Sequence, residues 1–230
     1  IQAMTQTPAE LITNGYDECD FPKRPCTDAY GCTAENMEKD FVVTHTGLFA
    51  ADGNPTVLWN VLSEKCRKDE NFRKMLKIRL IGKTDEQIVS SIKAAGLEGN
   101  LEDMGYQPHS KAIEQQRNAS LLILPLRKEP EYKAVLPGKL FEYLASWRPV
   151  LGIGQSDGAM SMILNQTKTG VVLNWEDGAS IARFIDLCWK NHLNGNLTVD
   201  DADISQFTRR NLTHKMAQLF DELTAKNLDK

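Results

Sequence analysis

Several signatures of common chemistry are missing from this 230-residue sequence. No loop carries Gly-x-Gly-x-x-Gly or Gly-x-x-x-x-Gly-Lys-[Ser/Thr], which excludes a standard dinucleotide fingerprint and a P-loop. No apolar run approaches the ~20 residues of a membrane helix, and no basic stretch followed by an apolar one opens the chain. A soluble domain is expected, and any signal or anchor would belong to a portion preceding Ile1. The five cysteines (Cys19, Cys26, Cys32, Cys66 and Cys188) form no Cys-x-x-Cys pair and have no histidine cluster beside them. That argues against zinc and against a disulfide framework, and it fits free thiols in a reducing compartment, with one local pairing among Cys19, Cys26 and Cys32 left open. Nor is there an excess of one charge: 27 Lys and Arg face 31 Asp and Glu. That balance suggests neither a basic nucleic-acid surface nor a polybasic membrane face. The sequons at Asn118, Asn165, Asn196 and Asn211 would matter only in a secreted protein and are read as chance.

What is present is alternation. Residues 1–40 are polar and hold Pro8, Pro22 and Pro25, so they read as a connector. From Phe41 the pattern becomes regular. Phe41 to Gly47 is a β-rich run ending in glycine, and Val57, Leu58, Val61 and Leu62 then recur at helical spacing. Strands are expected again at 78–82, 101–106, 121–125, 149–153 and 170–173. Helices are expected between them at 85–95, 110–117, 138–146 and 159–164, and after the last strand at 176–192 and 207–228. Strand and helix in turn imply a parallel sheet, whose ligand would sit outside the carboxyl ends of the strands. The loops after Thr46, Ile81, Gly105, Pro125 and Ile153 are therefore the places to look. Gly154 and Gly158 read as a helix-entry turn.

The most informative stretch runs from Leu136 to Leu151. Pro137-Gly138-Lys139 opens a helix, so unsatisfied N–H groups and an ammonium share one loop face and suit a diphosphate. Glu142 follows about one turn on, where a carboxylate can accept ribose hydroxyls. Lys139-Leu140-Phe141-Glu142-Tyr143-Leu144-Ala145, with Arg148-Pro149-Val150-Leu151, resembles the "K-x-x-E-Y-L-A … P-V-L" signature of the C-terminal domain in group 1 (family 4-like) glycosyltransferases of GT-B fold. Leu11-Ile12-Thr13-Asn14-Gly15-Tyr16-Asp17 is similar to the "I-x-N-G-x-D" that closes that family's N-terminal domain. The likeness extends to Thr46-Gly47, Leu80-Ile81-Gly82 and Gly105-Tyr106-Gln107-Pro108-His109, and spans residues 11 to about 192.

The resemblance implies an α/β fold, a Rossmann-like parallel sheet of about six strands with helices on both faces. It divides the chain into 1–40 as the end of an N-terminal domain and linker, 41–192 as the nucleotide-sugar-binding domain, and 193–230 as a helical extension. It implies a retaining, metal-independent transferase with no cofactor, inactive as this half alone. The donor would be a UDP-, GDP- or similar nucleotide-diphospho-sugar, and a glycan or lipid-linked acceptor would bind through the other half, as in polysaccharide biosynthesis. The location implied is cytoplasmic, and any contact with the inner face of a membrane would also come through the other half. Carried over, Glu142 holds the ribose and Lys139 faces the diphosphate. The backbone around Val135 and Leu136 meets sugar or phosphates, Leu140 belongs to the same helix start, Tyr106 frames the base with His109 beside it, and Gly47 permits close approach.

Two departures stand out. Ala134 occupies the position eight residues before the ribose acid, where many members carry Glu. Gly47-Leu48 and Asn54 stand where many carry Gly-Arg and Lys-Gly, so the cations for the leaving diphosphate must come from elsewhere, with Lys139, Lys133 and Arg127 as candidates. His45 and His109 are not expected to be catalytic; Trp147, Trp175, Tyr143 and Leu144 are expected to pack, and residues 128–133 to form a charged lip. The alternatives are a non-hydrolysing nucleotide-sugar epimerase-like domain, which would bring its own histidine and acid constellation, and a non-catalytic nucleotide-binding module.

Overall fold

A computed structural model describes residues 9–21, 39–197, 199 and 203–228. Six strands alternate with helices: β1 (Phe41–Thr46), α1 (Thr56–Lys68), α2 (Glu70–Met75), β2 (Leu76–Ile81), α3 (Glu86–Ala94), β3 (Leu101–Gly105), α4 (His109–Asn118), β4 (Leu121–Pro125), α5 (Gly138–Ala145), β5 (Val150–Ile153), α6 (Ala159–Thr167) and β6 (Gly170–Leu173). Two helices follow, α7 (Gly178–Leu193) and α8 (Arg209–Leu228). All strand pairings are parallel, in the order β3-β2-β1-β4-β5-β6. The order reverses between β1 and β4, which opens a crevice at their carboxyl ends.

Both faces of the sheet are covered by helices. Along β1 successive side chains point to opposite faces. Phe41 meets Phe72 of α2 and Trp189 of α7, with ring centroids 5.6 Å apart in each case. Thr46 on the other face reaches Tyr143 of α5 and Gln116 of α4. Every residue of β1 is buried, whereas edge strand β3 is half-buried or exposed throughout.

The expected strands and helices are present, with β3 ending at Gly105 and α6 running on to Thr167. One helix escapes the sequence pattern. Six residues, Glu70–Met75, are too few to show a period, and what starts the turn is Asp69, whose carboxylate accepts the Phe72 N–H at 2.9 Å. Gly158 is the N-cap of α6, as the glycine pair suggests. Residues 9–21 clasp the segment before α8: Tyr16 N–H donates to the Phe207 carbonyl at 3.0 Å, and Arg209 N–H donates to the Tyr16 carbonyl at 2.9 Å. Cys66 and Cys188 are buried free thiols and Cys19 an exposed one. Cys26 and Cys32 lie outside the described residues. Among the described residues, no helix is long and apolar enough to cross a membrane.

Candidate functional site

The site is built where β1, β2 and β3 end. Each gives way to a glycine with positive φ: Gly47 at 111°, Gly82 at 117° and Gly105 at 59°. Gly47 N–H donates to the Ile81 carbonyl at 2.7 Å and Gly82 N–H to the Gly105 carbonyl at 2.8 Å, so the three turns lock side by side. Gly47 and Gly82 floor a cleft of about 340 Å³ lined also by Leu48, Lys83, Tyr106, Gln107, His109 and Lys139. A second cleft of about 640 Å³ opens on the other side of Lys139, bounded by Glu142, Asn14, Arg209 and Met216 among others. Lys139 is the residue common to both. Its aliphatic stem lies over Gly47: a Cβ there would sit 3.6 Å from Lys139 Cε.

Helix α5 begins at Gly138 after Pro137, and no side chain caps it, which leaves its first N–H groups available to an anion. Lys139 Nζ pairs with Glu142 Oε2 at 2.8 Å. The same oxygen accepts from Gln116 Nε2 at 2.9 Å, and that amide also reaches Thr46 Oγ1 at 3.0 Å. Ser146 Oγ donates to Gln116 Oε1 at 3.2 Å, which orients the amide. Glu142 is thus held from two sides while its side chain keeps 19% exposure toward the cleft. Tyr143 is fully buried, and its hydroxyl accepts the Thr46 N–H at 2.8 Å, tying α5 to the end of β1. Burial pushes that phenol up to about 12.

The two histidines differ. His45 Nδ1 bonds the Ile123 carbonyl at 3.1 Å, and the buried Nε2 has no hydrogen-bond partner. Burial, opposed only in part by the Ile123 and Leu48 backbone, lowers its pKa to about 4, so it is neutral at pH 7. His109 is exposed at the cleft rim and pairs with Asp20 at 3.0 Å.

No family model matches the chain, and no curated protein matches it in sequence. Solved structures do match. Alr3699/HepE from Anabaena, in complex with UDP and glucose, aligns with a TM-score of 0.68 at 15% identity, over 93% of this chain and 57% of that one. Sucrose-phosphate synthase from Thermosynechococcus elongatus aligns at 0.70 and 17% identity, over 94% of this chain and 53% of that one. The C-terminal domain of a glycosyl transferase group 1 family protein, LpcC from Francisella tularensis, aligns at 0.51 and 13% identity, over 79% of this chain and 95% of that one. The fold is that of a GT-B C-terminal domain. The chain spans little more than half the length of the two longer relatives and corresponds to one half of such proteins.

Within this fold, Gly47, Tyr106, His109 and Lys139 line one cleft, and Lys139 and Glu142 line the other. Tyr106 stands at the lip, 88% exposed. The remaining sequence candidates are placed differently. Leu140 has no exposed side chain, and its N–H donates to the Pro137 carbonyl at 3.0 Å, so it anchors the helix start instead of presenting a contact. Val135 and Leu136 are half-buried before α5 and line neither cleft. Arg127 pairs with Asp52 at 2.9 Å and lies over the Tyr132 ring. Lys133 pairs with Asp157, and Lys128 with Glu176 at 2.8 Å, which pins the charged lip to neighbouring loops. Trp175 is packed, with Nε1 donating to the Leu126 carbonyl at 3.1 Å, and Trp147 is half-buried at a positive φ of 57°. Sequence reasoning missed Gln116, the hydroxyl of Tyr143, and Lys83. None sits in a recognisable motif, and only the adjacency of β1, β2 and β4 brings them to the site.

Proposed function

We propose that this chain is the donor-binding half of a glycosyltransferase, holding a nucleotide-diphospho-sugar for transfer to an acceptor hydroxyl. The observation that supports the reading is the meeting of Gly47, Lys139, the uncapped start of α5 and the Gln116-oriented Glu142 beside the β1/β4 reversal. A bare helix start and an ammonium suit the diphosphate, a glycine admits it closely, and a fixed carboxylate one turn further along accepts two vicinal hydroxyls of a ribose. In this reading, ligand hydroxyls donate to Glu142 while the diphosphate draws Lys139 away from it. Cations, not a metal, neutralise the leaving diphosphate, and the sugar is transferred with retention. The acceptor, a glycan or lipid-linked alcohol, is engaged through a second half.

HepE has been solved with UDP and with UDP-glucose, so UDP is the first nucleotide to test. The experiment is calorimetric titration of UDP, GDP and ADP, with and without magnesium, into the wild type and Glu142→Ala. One nucleotide should bind without metal, and the variant should lose about 1–3 kcal/mol, the scale of a charge-assisted hydrogen bond removed from a partly buried site. Binding that is equally tight in Glu142→Ala would refute the ribose role. No binding of any of the three would mean either that the site requires the other half or that this is a non-catalytic Rossmann-like module.

A further inference from the structure

The cleft over Gly47 is lined by two lysines. The whole chain carries a formal charge of -4, yet the residues lining this cleft include Lys83, Lys139 and His109 and not one carboxylate. The other cations considered for a leaving diphosphate are engaged elsewhere: Arg127 with Asp52, Lys133 with Asp157. Asp52 lies in the loop after β1, so that loop supplies an acid instead of a cation.

Lys83 differs. It is exposed on the cleft, and among the described residues it takes part in no side-chain ion pair. Its position is nonetheless fixed through its backbone. The Lys83 carbonyl accepts the Phe49 N–H at 2.9 Å, and the preceding Gly82 packs so closely on Gly47 that an added Cβ would lie 2.9 Å from the Gly47 carbonyl carbon. Adjacent strands are about 4.8 Å apart. Lys83 at the end of β2 and Lys139 over the end of β1 can therefore address one anion from two sides.

We infer that Lys83 is the second cation for the donor diphosphate and that, with Lys139, it seats the diphosphate over Gly47, away from Arg127 and Lys133. This inference rests on the donor-binding reading above. It makes the affinity for the diphosphate depend on both ammonium groups, Lys83 from the loop after β2 and Lys139 from the start of α5. It also means that the cation pair absent from the loop after β1 is replaced from the loop after β2 and from the start of α5.

The test is titration of wild type, Lys83→Ala and Lys83→Arg with UDP, GDP, ADP, their nucleosides and inorganic pyrophosphate at low and high salt. Lys83→Ala should weaken pyrophosphate and the preferred nucleoside diphosphate about tenfold, as loss of one charge-assisted contact predicts. It should leave the nucleoside unchanged and flatten the salt dependence, and Lys83→Arg should restore most of the loss. Wild-type affinity for pyrophosphate and nucleoside diphosphate in Lys83→Ala, or an equal loss for the nucleoside, would overturn the assignment while leaving the donor site standing. If the wild type binds neither pyrophosphate nor any nucleoside diphosphate, the donor-binding reading fails, and this inference with it.

Discussion

Gly82→Ala is the sharpest probe of how the site is assembled, because two separate costs fall on one methyl group. The first is conformational: φ at Gly82 is 117°, a region that a residue with a Cβ occupies only at about 1–3 kcal/mol. The second is steric. The new Cβ would lie 2.9 Å from the carbonyl carbon of Gly47 and 3.1 Å from its Cα, and closer still to the carbonyl oxygen. Backbone cannot swing aside as a lysine stem can, and forced repacking of this kind costs about 1–3 kcal/mol more. Gly105→Ala is the control. Its φ of 59° lies in the ordinary left-handed region and nothing stands within 4 Å of the added carbon, so only about 1–2 kcal/mol is at stake. The two variants should differ by about 2 kcal/mol in urea unfolding, equivalent to about 4–8 °C in Tm for a chain of this size. Because relief of the clash moves Gly47, Gly82→Ala should also weaken nucleotide binding. Equal stability of the two variants would refute the close approach of the loops after β1 and β2.

Two further perturbations test the burial of polar groups beneath the site. His45 has a folded pKa of about 4 against an ordinary 6.5, so the unfolded chain takes up a proton that the folded chain refuses. Its stabilising effect is complete above pH 6.5 and is lost as pH falls from 6.5 toward 4, by about 3 kcal/mol in all. His192 is shifted in the same direction by burial. Denaturant midpoints at pH 7.5 and pH 5 should therefore fall farther apart in the wild type than in His45→Asn, and parallel profiles would count against the buried neutral imidazole. Tyr143→Phe leaves the Thr46 N–H without its acceptor and should cost about 1–3 kcal/mol in thermal or chemical unfolding, whereas a change near zero would mean that water replaces the hydroxyl.

The sheet was legible because short β-rich runs end on a turn residue: Phe41 to Gly47 and Ile78 to Gly82 on glycine, and the apolar Leu121 to Leu124 on Pro125. The all-apolar run from Leu121 to Leu124 is the one that reads as a strand buried on both faces. The start of α5 was legible for a related reason, since Pro137-Gly138-Lys139 is local chemistry. What the chain could not disclose is side-chain partnership across loops. Arg127 and Lys133 look like free cations in sequence, and only the folded loops after β1 and β5 bring Asp52 and Asp157 to them. Gln116 is an unremarkable polar residue until α4 and α5 lie side by side and its amide meets Glu142. Lys83 reads as the first residue beyond a strand, and its place beside Lys139 depends on β1 and β2 being neighbours.

The clasp between Tyr16 and the segment around Phe207 and Arg209 has a kinetic consequence. Those backbone groups are separated by most of the chain, and the entropy lost in closing so long a ring is not repaid by two hydrogen bonds. The ring can close cheaply only once the sheet has already brought its ends together. The clasp is thus fastened late, onto a sheet already paired, and there it adds Tyr16 and Phe207 to the buried core.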